Sequence, residues 1–249
     1  MMNMTPVVKQ LLIINIIFFA GSSLVGDAAY EFLSLYFPEN PQFQIWQPLT
    51  HMFMHGGIMH IFFNMFALFS FGSALEQMWG SKKFLFFYIS CGLGAALLHT
   101  GVNYYEYHQG YDLLLNHGLS EADIATILRE GTDPLGKLEG IDTGALQQFF
   151  GSYFTPAVGA SGAIYGLLVA FAYMMPNAEL MMMFIPIPIK AKYFVPGLLL
   201  IDLYLGITGK SIFGAAGGIA HFAHIGGALI GFIMMWFWKK NQFNNNRWD

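Results

Sequence analysis

The chain holds one cysteine, Cys91, in 249 residues. No intrachain disulfide, zinc–thiolate cluster or CxxC redox centre can be built from it. Charge is also scarce: 10% of residues are Asp, Glu, Lys or Arg, against about 25% in a soluble domain. Such a surface is not built for water alone. No basic patch with interleaved aromatics is present, which argues against nucleic acid as a partner. There are no internal repeats, and no low-complexity tract beyond the Asn-rich 244–246. The net charge of −4 carries little meaning, because the acids cluster in one segment.

What the chain has instead is apolar length. Six apolar spans of roughly 17–25 residues, enough to cross the hydrocarbon of a bilayer, are expected at 8–26, 58–78, 83–102, 160–177, 193–209 and 218–238. The fold class expected is therefore all-α, a polytopic six-helix membrane bundle forming one domain over 1–249. The first span has some features of a signal peptide, with Lys9 before it and Ala20-Gly21-Ser22 within it. The positive flank is thin, and a retained helix is expected.

Six spans put both ends of the chain on one side. Lys9, Lys82, Lys83, Lys190, Lys192, Lys239, Lys240 and Arg247 fall on that side, against Arg129, Lys137 and Lys210 on the other. The positive-inside rule then makes the first side, with the tail 239–249, cytoplasmic. Spans 2, 4 and 6 run inward from the outer face. Two outer segments are more than connectors. Residues 27–57 hold an amphipathic stretch and the aromatics Tyr30, Phe32, Tyr36, Phe37, Phe43 and Trp46, suited to a membrane interface. Residues 103–157 form a long acidic insertion between spans 3 and 4, in which two or three short amphipathic helices are expected. Ser120 with Asp123 reads as a helix start there, and Gly131 as a stop.

Polar groups inside spans are costly and are functional candidates by default. His60 and Asn64 in span 2, Ser161 in span 4, and His221 and His224 in span 6 all fall in the first turns of inward-running helices. At 1.5 Å per residue they share a layer roughly 5–10 Å below the outer face. Ser161 lies in Gly159-Ala160-Ser161-Gly162, where flanking glycines permit a sharp turn and a helix N-terminus offers free N–H groups to an oxyanion. A helix-capping serine has the same appearance. Gly227 and Gly231 form a GxxxG face, and His224 precedes it on the same side. If span 4 packs there, His224 meets Ser161 and can act as its base. His221 shares that face, so spacing does not choose between them. His60 and Asn64, spaced i and i+4, point one way and can donate to an oxyanion; interhelical hydrogen bonding is the plainer use. His51 and His55 suit one helix face, but no carboxylate or HExxH accompanies them, so bracing of the outer loop is expected rather than metal binding.

Together these residues resemble a known family. The stretch His51-Met52-Phe53-Met54-His55-Gly56-Gly57-Ile58-Met59-His60-Ile61-Phe62-Phe63-Asn64 resembles the HxxxHxxxxHxxxN signature of rhomboid intramembrane proteases. Gly159-Ala160-Ser161-Gly162 is similar to their GxSG motif, and Ala223-His224 with Gly227 and Gly231 to AHxxGxxxG. The resemblance covers residues 8–102 and 156–238. It implies a rhomboid-like bundle in which Ser161 is the nucleophile and His224, not His221, the base, a dyad without an Asp. It implies an oxyanion hole of His60, Asn64 and the Ser161 N–H. It implies that Tyr165 packs on His224, and that Glu76 is structural, holding the outer loop or helix contacts. It implies substrates that are membrane proteins with an easily unwound transmembrane segment, a cell (inner) membrane location and a site opening to the outer face. Two departures stand out: Gln47 follows Trp46 where many rhomboids have Arg, and the insertion 103–157 is far longer than the usual third outer loop.

Two other classes compete. A catalytically dead rhomboid-like binder usually lacks the Ser or the His, and both are present. A transporter needs charges strung through the bilayer, and only Asp202 sits mid-span. No cofactor is required, since a Ser–His pair needs only water to complete hydrolysis.

Overall fold

Proline and glycine set the limits of the first helix. Pro6 opens helix α1, Pro6–Val25, where its missing N–H costs nothing, and Gly26 closes it with a left-handed φ of 78°. The chain is described by a computed structural model covering residues 4–133, 136–182, 185–208 and 219–242. Lys210, Arg247 and the Asn-rich 244–246 lie outside the described residues, as does most of the tail 239–249. A short helix α2, Asp27–Leu33, is followed by α3, Gln47–Thr50, and a 3₁₀ turn, His51–Phe53. Helix α4, Ile58–Ala67, runs through a π-helical stretch, Leu68–Gly72, into α5, Ser73–Trp79. Helix α6, Ser81–Asn116, is 36 residues long. Then come α7, Glu121–Glu130, α8, Thr143–Phe154, and α9, Ser161–Met174. A two-stranded antiparallel hairpin, β1 Glu179–Met182 and β2 Ile185–Lys190, precedes α10, Ala191–Thr208, and α11, Ile219–Gln242.

The architecture is that of an all-α membrane bundle. Five described helical segments are long and apolar enough to cross a bilayer: Pro6–Val25, Ile58–Trp79, Ser81–Asn116, Ala191–Thr208 and His221–Lys239. Ile16, Ile17, Leu97, Leu200 and Phe232 point outward and are exposed on these helices, as side chains facing lipid are free to do. Helix α9 differs. Its 14 residues rise only about 21 Å, less than the ~30 Å hydrocarbon thickness, and every residue from Gly162 through Phe171 except Tyr165 is buried. It is the axis of the bundle, and α6, α10 and α11 pack around it.

The region 103–157 holds two short helices, α7 and α8, within the two or three expected, but they do not begin at its start. Its first quarter, up to Asn116, is the unbroken continuation of α6. Helices α7 and α8 fold back onto that continuation around a second apolar core of Tyr107, Leu114, Ile124, Ile127 and Phe149. Gly110 permits the approach of α8, since a methyl there would stand 2.5 Å from the Phe149 side chain. Ser120 and Asp123 form a capping box and Gly131 ends α7 at φ 68°.

Residues 27–57 dock onto this layer. Phe37 enters the second core, Asn40 donates from its amide to the Tyr153 carbonyl at 2.9 Å, and Leu35 pairs with Ala157 through hydrogen bonds of 3.0 and 2.8 Å. Gln47, directly after Trp46, is fully buried. Its side chain accepts from the Tyr36 N–H at 3.2 Å and donates to the carbonyls of Glu31 and Gln42 at 3.1 and 2.9 Å. A neutral amide thus pins three points of the loop.

Candidate active site

Ser161 is the first residue of α9, so its N–H has no acceptor within the helix. The approach to it is fixed from the loop side. The Gly159 N–H donates to the His51 carbonyl at 2.9 Å, and Gly159 holds φ at +126°, a conformation that side-chain-bearing residues avoid. His51 is buried and bonded through Nδ1 to the Gln47 carbonyl at 3.0 Å. Tyr30 donates to the His55 carbonyl at 2.5 Å. Burial pushes both His51 and His55 down to about 4, so both rings are neutral and serve the loop's packing.

The glycines bring α9 and α11 into backbone contact. A Cβ on Gly227 would fall 1.8 Å from the Gly162 carbonyl oxygen, and one on Gly231 would fall 2.8 Å from Gly166 Cα. This is the close approach that small residues allow between membrane helices. One turn before Gly227, it sets His224 Nε2 2.9 Å from Ser161 Oγ. The Tyr165 ring, one turn along α9, stacks on the His224 ring with centroids 4.1 Å apart and planes 9° from parallel.

His221 does not reach Ser161. Its Nδ1 stands 2.5 Å from Asp202 Oδ1 on α10. The same oxygen lies 3.2 Å from His224 Nδ1. Asp202 is 5% exposed. From the sequence it was a lone mid-span charge; the fold sets it behind the candidate base. The signal that could have flagged it was the cost of a carboxylate in a span, joined to two histidines three residues apart on another span. One ligand atom from each of Asp202, His221 and His224 lies within 4.8 Å of the other two. They are the described cluster with metal-ligand spacing, but each nitrogen already faces the carboxylate as a hydrogen-bonding partner.

His60 flanks Ser161 from α4. A methyl on Gly159 would be 2.9 Å from His60 Nε2 and 3.6 Å from Ser161 Oγ, so the three groups meet around Gly159. The Gly56 N–H donates to His60 Nδ1 at 3.3 Å. A neutral ring accepting at Nδ1 carries its hydrogen on Nε2, the atom turned toward Gly159 and Ser161. Asn64 is buried one turn further along and donates one amide hydrogen to the His60 carbonyl at 2.9 Å, leaving a second donor. Glu76 lies some 16 residues, about 24 Å, further down the same rod. It accepts from the N–H groups of Val7 and Val8 at 3.0 and 2.9 Å, from the Thr5 hydroxyl, and from Ser81 Oγ at 2.6 Å. It caps α1 at the end of the bundle away from Ser161, and none of these contacts is with the 27–57 loop.

A family model for the rhomboid domain matches residues 42–128 and 137–241. The chain belongs to the rhomboid family. Among curated rhomboids, the rhomboid protease AarA of Providencia stuartii is 30% identical over 199 residues, covering 76% of this chain and 54% of that protein. The rhomboid protease GluP of Bacillus subtilis is 27% identical over 189 residues, 76% of this chain and 25% of its own. The mitochondrial rhomboid protein 1 of Saccharomyces cerevisiae is 24% identical over 191 residues, 76% of this chain and 40% of its own. The matched region spans about half the length of these relatives or less.

Proposed function

We propose that this rhomboid is an intramembrane serine endopeptidase that cleaves other membrane proteins in or near a transmembrane segment, with Ser161 as nucleophile and His224 as general base. The observation that carries this reading is the 2.9 Å bond from Ser161 Oγ to His224 Nε2 at a helix N-terminus. A serine hydroxyl is a weak nucleophile until a base takes its proton. His224 takes that proton as Oγ attacks the scissile carbonyl, then returns it to the leaving amine. Water, deprotonated by the same ring, releases the acyl group from Ser161. The oxyanion formed in each half-reaction is met by the free N–H of Ser161, by the Nε2–H of His60 and by Asn64. Tyr165 holds the His224 ring by stacking. No cofactor is called for.

The substrates this site suits are membrane proteins whose transmembrane helix unwinds readily, because a helical peptide bond is shielded by its own hydrogen bonds. Helix α9 is too short to span the bilayer, which supports a nucleophile recessed below the membrane surface and reached by water from the Ser161 end. The lysine and arginine distribution supports a cell (inner) membrane orientation with both termini of the chain cytoplasmic and the Ser161 end of the bundle outside.

The test is reconstitution in liposomes with a panel of single-span membrane proteins, mapping the product termini by mass spectrometry. Cuts within or beside the spans, absent with Ser161→Ala, are expected. Intact substrates that co-purify with the chain would identify a binder of membrane proteins instead.

A further inference from the structure

We propose that Asp202 is a positioning residue that turns the Ser161–His224 pair into a Ser–His–Asp triad, with His221 as a second, non-catalytic partner of the same carboxylate. The inference rests on the reading of Ser161 and His224 as nucleophile and base. A general base at Nε2 must carry its own hydrogen on Nδ1, and must be held in that tautomer. Nδ1 of His224 faces Asp202 Oδ1 at 3.2 Å. A carboxylate can only accept, so this contact demands Nδ1–H and leaves the Nε2 lone pair for the Ser161 hydroxyl at 2.9 Å. Once His224 has taken that proton, the Asp202 charge stabilises the imidazolium, in a site where little water competes.

His221 separates the two roles open to Asp202. Its Nδ1 lies nearer to the same oxygen, at 2.5 Å, so the shorter link between α10 and α11 runs through His221. If Asp202 served only to clamp these helices, loss of His221 would be the more damaging change. If Asp202 positions His224, the catalytic effect follows Asp202 and not His221. The carboxylate is 5% exposed. The two histidines give Oδ1 of this otherwise costly intramembrane charge its hydrogen-bonding partners.

The experiment measures kinact and KI for labelling of Ser161 by a fluorophosphonate in detergent, with thermal unfolding followed in parallel. Asp202→Asn is expected to lower kinact about 100-fold or more with KI unchanged, while His221→Leu stays within a few-fold of wild type. Labelling of Asp202→Asn at the wild-type rate overturns the triad and leaves the Ser161–His224 reading intact. So does His221→Leu losing as much kinact as Asp202→Asn. If wild type itself is not labelled, both fall together. A second measurement does not depend on the Asp202 variant folding. Nitrogen-15 NMR of histidine-labelled wild-type protein in lipid, with His224 assigned by difference against His224→Asn, is expected to show a protonated Nδ1 and a bare Nε2. The opposite tautomer overturns the proposal.

Discussion

Gly159 lies against His60 so closely that a methyl on its Cα would stand 2.9 Å from the ring atoms Nε2 and Cε1. The position combines that crowding with φ +126°, which disfavours any side chain. Gly159→Ala is therefore expected to move His60 away from Ser161 more than it disturbs the bundle. Loss of one oxyanion donor costs about 100-fold or more in kcat. The measurement is cleavage of a transmembrane substrate with kcat and KM separated, together with thermal unfolding. A fall in kcat with little change in unfolding temperature is expected; unchanged kcat would remove His60 from the oxyanion hole.

Gly227 makes a purely structural contribution. Any Cβ there meets the Gly162 carbonyl oxygen at 1.8 Å, backbone against backbone, with no flexible side chain able to yield. Gly227→Ala must push α11 off α9 and is expected to destabilise the bundle by about 3 kcal/mol or more, at the upper end of overpacking costs. Activity falls with it, because His224 rides on the same face. Thermal unfolding in detergent checks this, and a Gly227→Ala protein as stable as wild type would mean that the helices do not meet at this point.

From the end of α5, Glu76 binds the start of α1 through the Val7 and Val8 N–H groups and the Thr5 hydroxyl, and the start of α6 through the Ser81 hydroxyl. Anionic groups at a helix N-terminus are favourable, and unpaired donors left behind cost about 1–3 kcal/mol. Glu76→Ala is expected to raise amide exchange in residues 6–12 while leaving the Ser161–His224 geometry, and hence labelling per folded molecule, near wild type.

Helix α7 can be tested by itself. Ser120→Ala removes the side chain that accepts from the Asp123 N–H and donates to its carboxylate, a cap worth about 1 kcal/mol. Amide exchange across 121–130 is expected to accelerate roughly fivefold, the factor that such a loss implies. Asp123 also pairs with Lys137 at 2.7 Å, and that bond, with those to Ser120, holds its carboxyl down to about 2. Its contribution to α7 is thus complete above the ordinary carboxylate range near 4 and is lost as pH falls through about 2.

What could be read from the sequence was what is local. The Ser120–Asp123 start and Gly131 stop of α7 are short-range signals and appear in the fold at those residues. The Gly159–Gly162 and Ala223–Gly231 motifs announce close backbone approach, and the helices do approach there. The position of Asp202 behind His224 was hidden because it depends on how α10 is rotated against α11, which no spacing within either helix reports. The continuation of α6 to Asn116 was hidden for another reason. The apolar pattern stops near residue 102, where the bilayer would end, but helix propensity does not stop with it. The hairpin at 179–190 had a signal, the alternation of Ile185, Ile187 and Ile189, obscured by the intervening prolines, which a two-stranded edge tolerates.

The central claim is that Ser161 is activated by His224, and labelling with a fluorophosphonate in lipid tests it most directly. Wild type is expected to be labelled at Ser161, with Ser161→Ala unlabelled and His224→Ala reduced to near background although folded. Folded wild-type protein that takes no label, or His224→Ala that labels as fast as wild type, would contradict the account.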